Sequence, residues 1–348
     1  MEELISKFQI KGECKSIQLI ESGLINTTYK VITSTEKYIL QEINTLVFEQ
    51  VDELMENINN ITSFLDKKGK KTLQIVLNKK GGLVIFENGK YWRMFYFIEN
   101  SLTFNSAKNV NIVKEGAKEL ALFHKNLLNF PSHKLHVVIP NFHNTEYIFS
   151  KFKNTLDICG NQIKKECEEE IRYILKNEDT YKIISNLITE RKIPIRVCHY
   201  DPKISNILFD EKLKSICMID LDTTMPGTIL HDFSDSVRTI CVSNSEEESD
   251  LSKVEFKLNY FKDYSQTYLD INSKNLNNFE INHLRHSVEN IFLEQGMRFL
   301  NDYLLGDIYY KTTHKKQNLI RAKNQLHLAK LVKENYIEME NIILECFN

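Results

Sequence analysis

Two short apolar segments, Ile195–Val197 and Ser215–Ile219, constrain this 348-residue chain more than any other feature, because polar groups crowd at the end of each. Each reads as a buried strand. His199, Asp201 and Asn206 follow the first, and Asp220 and Asp222 close the second. Strand ends are where an open fold presents polar groups to a ligand. A carboxylate, an amide five residues on and a carboxylate fourteen further on are the parts that phosphoryl transfer needs. One Asp accepts the proton of the attacking hydroxyl, and an Asn with a second Asp holds magnesium on the nucleotide phosphates.

Each part also has a plain structural reading. Asp201 before Pro202 makes a turn, Asn206 a cap, and Asp220 and Asp222 ordinary strand-end carboxylates. The conjunction is what points to chemistry, since hydroxyl activation and metal binding then have separate carriers. Asp201 is expected as the catalytic base, aligning the acceptor hydroxyl. Asn206 and Asp220 are expected as hard oxygen ligands of Mg2+. Asp222 is expected to assist a second metal or to hold the loop, and His199 to orient the backbone of Asp201.

The rest of the chain bounds this reading. The length suits two lobes rather than one core. A net charge of −2 gives no electrostatic reason to expect nucleic acid or an anionic membrane. Seven cysteines without a CxxC pair read as thiols of a reducing compartment. The N-terminal stretch MEELISKFQIKGE lacks the blocks of a secretory leader, and no apolar run reaches membrane-spanning length, so a cytoplasmic protein is expected. With 5 Pro and 11 Gly, a helix-rich chain with few long loops is expected.

The first hundred residues read as a short helix over 1–10, then strands over 16–20, 29–33, 37–41, 74–77, 83–87 and 91–97. A Gly81-Gly82 hairpin turn and one helix over 46–65 interrupt them. Leu54, Ile58, Ile61 and Leu65 share one face of that helix. Strands, one helix, then more strands describe the small lobe of a kinase-like fold. The turn at Gly23 folds its amides over phosphates or is an ordinary hairpin turn. Gln41 occupies the strand position of a kinase's phosphate-pairing lysine, without the charge. The backbone around Phe97–Glu99 is placed to meet an adenine edge.

From residue 109 the chain becomes helical, beginning with an amphipathic helix over 113–127. Residues 146–192 read as two helices. Asp232 reads as a helix N-cap, and residues 243–250 as an exposed acidic loop.

The segments HYDPKISN, MIDLDTTMPG and HDFSDSVR resemble the aminoglycoside phosphotransferase and choline kinase superfamily. SGLINTTYKV, YILQEIN, YWRMFYFIE, IPNFHNT and GMRFLNDYLLGDIYYK are similar to its N-acetylhexosamine 1-kinase branch. The resemblance implies an α+β, protein-kinase-like fold with a small antiparallel-sheet lobe over 1–97 and a mostly helical lobe over 98–348. It implies an ATP and Mg2+ site between the lobes and transfer to the anomeric hydroxyl of GlcNAc or GalNAc. Asp201, Arg298, Asn44, His143, Asn144 and Arg238 are the implied substrate residues. Gly23, Gln41, Phe97 and Glu99 are those expected at the nucleotide. The partners are then a sugar and ATP, with no nucleic acid or membrane, for a monomer or homodimer. Two alternatives stand beside this: a kinase of a cationic acceptor such as choline or an aminoglycoside, and a non-catalytic nucleotide-binding relative, suggested by Gln41.

Overall fold

Alternating apolar and polar residues pair the N-terminal strands into one sheet. The computed structural model describes residues 1–20 and 25–347. A short helix α1 (Glu2–Ser6) precedes β1 (Cys14–Ile20), β2 (Thr27–Thr33) and β3 (Lys37–Ile43). Helix α2 (Val51–Lys67) follows, then β4 (Ile85–Glu87) and β5 (Lys90–Tyr96). The sheet is antiparallel in the order β1-β2-β3-β5-β4. Tyr38, Leu40, Trp92 and Met94 on one face pack with Leu4, Ile5 and Phe8. Ile43 and Phe95 join the apolar face of α2, where Leu54, Ile58, Ile61 and Leu65 are buried as their spacing predicts.

Residues 74–77 form no strand, only a single bridge from Ile75 to Phe95. The strand expected from 83 contracts to β4. Asn78 is the local reason: its side-chain oxygen accepts the amides of Lys80 and Gly82, both at 2.9 Å, around the Gly81 turn at φ 85°. Side-chain capping of this kind replaces ladder bonds.

The helical region starts at α3 (Val110–Leu127), where the Asn109 side chain accepts the Ile112 amide. The two helices expected over 146–192 are four: α4 (Thr145–Ile158), α5 (Asn161–Lys165), α6 (Glu168–Lys176) and α7 (Ile183–Thr189). Extended backbone at Gly160 breaks the first pair, and α6 restarts with three glutamates in its first turn, where the helix dipole favours them. The two apolar segments that frame the site become β6 (Arg196–Cys198) and β8 (Ser215–Met218). They do not pair with each other. β7 (Ile207–Phe209) pairs with β8, and β9 (Met225–Gly227) with β6. Helices α8 (Ile229–Ile240), α9 (Leu258–Asn272), α10 (Asn278–Leu304), α11 (Gln317–Glu334) and α12 (Tyr336–Phe347) complete the chain. The buried α10 packs on α4, α8 and α11. This is the α+β, two-lobed arrangement expected from the sequence. No helix among the described residues is long and apolar enough to cross a membrane.

Candidate active site

β6 delivers the chain to a turn that one buried carboxylate shapes. Asp232 of α8 accepts the amides of His199 (2.7 Å) and Tyr200 (2.8 Å), and His124 Nε2 lies 2.8 Å from it. Asp232 is therefore not the N-cap expected from the sequence; Thr228 caps α8. Burial opposes the Asp232 charge, but His124 and the donated amides hold its carboxyl below the usual range. Tyr200 takes a left-handed backbone, φ 67°, which turns Asp201 outward. The His199 ring spans the turn. Nδ1 accepts the Asp201 amide at 3.3 Å and Nε2 faces the Ile219 carbonyl at 2.9 Å, which assigns the proton to Nε2. His199 thus positions the Asp201 backbone, as its place in the motif suggested.

Around Asp201 the sequence candidates converge. Asn206 Nδ2 donates to its carbonyl (2.9 Å) and to Oδ2 (3.0 Å), and Lys203 Nζ lies 2.6 Å from Oδ2. Burial opposes ionisation of Asp201, yet Lys203 outweighs it and keeps the carboxyl below its ordinary value. Lys203 is raised in turn, against burial, by Asp201 and Asp220. The Ile219 amide donates to the Asn206 carbonyl at 2.8 Å, tying the end of β8 to this loop. Asp220 follows in a left-handed conformation, φ 59°. Desolvation by the surrounding protein first, and Asp222 second, push its carboxyl up to about 6, although the residue stays open to solvent.

Asn206 and Asp220 suit a hard divalent cation. The amide nitrogen of Asn206 is spent on Asp201, which leaves Oδ1 as an oxygen donor. Asp220 presents a solvent-accessible carboxylate, crowded by Asp222, whose charge a cation would relieve. Among the described residues no group of three or more acidic, His or Cys side chains is placed to hold a metal alone. Mg2+ is commonly held by one or two protein oxygens together with phosphates and water. Asp222, expected beside the metal, is otherwise engaged. Arg93 Nη1 lies 2.6 Å from Oδ1, while Arg93 Nη2 (2.8 Å) and Asn26 Nδ2 (2.7 Å) both donate to Oδ2.

On the other side of the turn lies a second buried network. His143 stacks on Tyr200 with ring centroids 5.4 Å apart, and its Nδ1 meets Glu294 Oε1 at 2.7 Å. Arg298 Nε is 3.2 Å from the same oxygen, and its guanidinium lies 5.0 Å from the Phe142 ring centroid. Burial opposes the Glu294 charge, but His143 and Arg298 hold its carboxyl down at about 2. Arg238 Nε donates to Asp235 at 2.7 Å and lies near Glu246. A cavity of about 630 Å³ elsewhere, bordered by Phe256, His327 and Leu331, involves none of these residues.

A family model described as the phosphotransferase enzyme family matches residues 16–268. This chain belongs to that family. Its fold is similar to that of the microcompartment-associated aminopropanol kinase, at 13% identity and a TM-score of 0.65 over 97% of both chains. A spectinomycin phosphotransferase solved with ADP and spectinomycin gives 15% identity and 0.64, over 96% of this chain and 97% of the other. Choline kinase from Cryptosporidium parvum Iowa II gives 15% and 0.61, over 96% and 93%. The chain is thus a member of the phosphotransferase enzyme family with the fold of these small-molecule kinases.

In this phosphotransferase the remaining sequence candidates fall in varied places. Gly23 lies outside the described residues. Gln41 does not stand free for phosphate: Oε1 accepts Arg93 Nε and Nε2 donates to Thr28, both at 3.0 Å. The Phe97 amide, expected at an adenine edge, donates to the Lys37 carbonyl at 3.0 Å, and Glu99 pairs with Lys37 at 2.8 Å. Asn44 caps its own turn, accepting the Leu46 amide at 3.0 Å. Asn144 is the N-cap of α4, accepting the Tyr147 amide at 3.0 Å. Both lie away from the His143–Arg298 network in bonding. The acidic loop over 243–250 is not free: Glu246 faces Arg238, and Glu247 bonds Arg321 and Gln317.

Sequence reasoning missed Lys203, Arg93, Asn26, Asp232 and Glu294. Three carried a signal. Lys203 sits two residues after Asp201, Arg93 is a lone charge in an apolar strand, and Glu294 lies one helical turn before Arg298. Asp232 and Asn26 carried none, because their partners are distant in sequence.

Proposed function

We propose that this phosphotransferase is an ATP-dependent kinase that phosphorylates the anomeric hydroxyl of N-acetylhexosamines, GlcNAc or GalNAc, to the sugar 1-phosphate. The N-terminal lobe, 1–97, and the catalytic lobe, 98–348, enclose the nucleotide between them. The observation that carries the phosphoryl-transfer reading is the meeting of Asp201, Lys203, Asn206 and the turn bearing Asp220. Asp201 accepts a hydrogen bond from the acceptor hydroxyl, aligns it for in-line attack and takes its proton as the bond to the γ-phosphorus forms and the bond to the β-phosphate oxygen breaks, releasing ADP. Lys203 keeps that carboxylate ionised and puts a positive charge beside the transferring group. Asn206 Oδ1 and the Asp220 carboxylate would hold Mg2+. When bound, the ion neutralises charge on the transferring phosphoryl group.

The acceptor side favours a neutral, hydroxylated ligand. Cationic acceptors need unpaired carboxylates or open aromatic cages. Here Glu294 is matched by His143 and Arg298, and Asp235 by Arg238. The names of the structural neighbours, which include aminopropanol and choline kinases, keep an amino-alcohol kinase as the competing reading. Incubation with ATP, Mg2+ and GlcNAc or GalNAc should yield the sugar 1-phosphate and ADP. Product formed with choline, aminopropanol or an aminoglycoside but with neither sugar would refute the acceptor assignment and leave the kinase chemistry standing.

A further inference from the structure

β3 carries Gln41 where a phosphate-pairing lysine is expected. Directly opposite it, in register on β5, stands Arg93. This arginine is 1% exposed, so its charge has to be met by protein partners. Its guanidinium fork faces both oxygens of Asp222, at 2.6 and 2.8 Å, and its Nε donates to Gln41. Gln41 is itself held by Thr28 and so orients the guanidinium. Asn26 adds a 2.7 Å bond to Asp222 and accepts the Asn44 amide at 3.0 Å. One carboxylate of the helical lobe therefore gathers three segments of the sheet lobe: the start of β2, the end of β3, and β5. Asp222 lies two residues beyond Asp220, whose left-handed backbone persists only where neighbours over-determine it.

We propose that Arg93 is a positioning residue for nucleotide binding: by clasping Asp222 across the lobe interface it fixes the Asp220 turn against the sheet, the task a lysine on β3 would otherwise share. The proposal rests on the kinase reading above. The clasp depends on a planar fork that meets both carboxylate oxygens, a geometry lysine lacks. Its effect falls on the nucleotide, because Arg93 touches neither Asp201 nor the His143–Arg298 network.

The test is calorimetric titration of ADP with Mg2+ into the full chain, beside KM for ATP and for the acceptor. Arg93→Met should weaken Mg2+–ADP binding about tenfold or more and raise KM for ATP in parallel. KM for the acceptor should stay within about twofold. Arg93→Lys should fall between. Fluorescence of Trp92, the single tryptophan, reports whether each variant is folded. If Arg93→Met does not fold, Arg93→Lys decides: weakened ADP binding supports the clasp, and wild-type affinity overturns it. Wild-type affinity in folded Arg93→Met overturns it as well. A wild-type chain that binds no Mg2+–ADP at all refutes the kinase reading and the clasp with it. Asp201→Asn, which should lose turnover and keep ADP affinity, separates the two.

Discussion

Asp232→Asn perturbs the shape of the catalytic turn without changing the volume of the side chain. The carboxylate receives three donors: the amides of His199 and Tyr200, and His124 Nε2. An asparagine supplies only one oxygen. If that oxygen replaces Oδ2, it serves His199 and His124, and the new amide group confronts the Tyr200 N–H. If His124 switches tautomer to accept, the His199 N–H is left facing a donor. Either way one buried backbone N–H is orphaned, at about 1–3 kcal/mol. The remaining bonds lose their charge-assisted character, worth about 1 kcal/mol each. The sum is about 3–5 kcal/mol, measurable as a shift in urea midpoint at constant m. The turn that aims Asp201 should relax, and a displacement of order 1 Å costs about 10²-fold in turnover. Urea unfolding and steady-state kinetics on the same preparation test both effects. A variant within about 0.5 kcal/mol of wild type, with unchanged kcat, would refute the clamp.

Two further outcomes follow from the same geometry. His231 is held neutral by burial and by His143, with its pKa lowered to about 3. An unfolded imidazole titrates near 6.5, so between about pH 6.5 and 3 the unfolded chain binds the extra proton. Stability should therefore fall with falling pH across that window, by about 1.4 kcal/mol per unit from this group. His231→Asn should flatten the slope between pH 7 and 5 in urea unfolding; an unchanged slope contradicts the assignment. At Gly227 an added Cβ would clash with the hydroxyl and ring of Tyr200. Gly227→Ala should cost about 1–3 kcal/mol and lower kcat by moving the residue before Asp201, with KM for ATP little changed. A fully active, equally stable variant would show that the ring yields freely.

What could be read in the sequence was whatever local pattern encodes. The α2 face was legible from four apolar residues at helical spacing, and the strands of the sheet from alternation. The grouping of Asp201, Asn206 and Asp220 in one candidate site was legible because they lie within one short stretch. Residues set by distant partners were not legible. Asp222 lies two residues from the proposed metal ligand Asp220, but Arg93, 129 residues away, meets both its oxygens. Asp232 looked like a cap because acidic residues favour helix starts, whereas the turn it holds is 32 and 33 residues upstream. Asn144 and Asn44 have the composition of binding residues and the bonds of local caps, a distinction only coordinates make. Gly160 was the overlooked local signal that divided the helices over 146–192.

The central claim is that Asp201 activates an acceptor hydroxyl beside a cradle made by Asn206 and Asp220. The most direct measurement is ATP consumption with Mg2+ and N-acetylhexosamine, comparing wild type with Asp201→Asn at matched folding and matched ADP affinity. The wild type should give sugar 1-phosphate, and the variant a rate about 10³–10⁴-fold lower, the equivalent of roughly 4–5.5 kcal/mol of barrier. A folded, nucleotide-binding Asp201→Asn protein that turns over at the wild-type rate would contradict it.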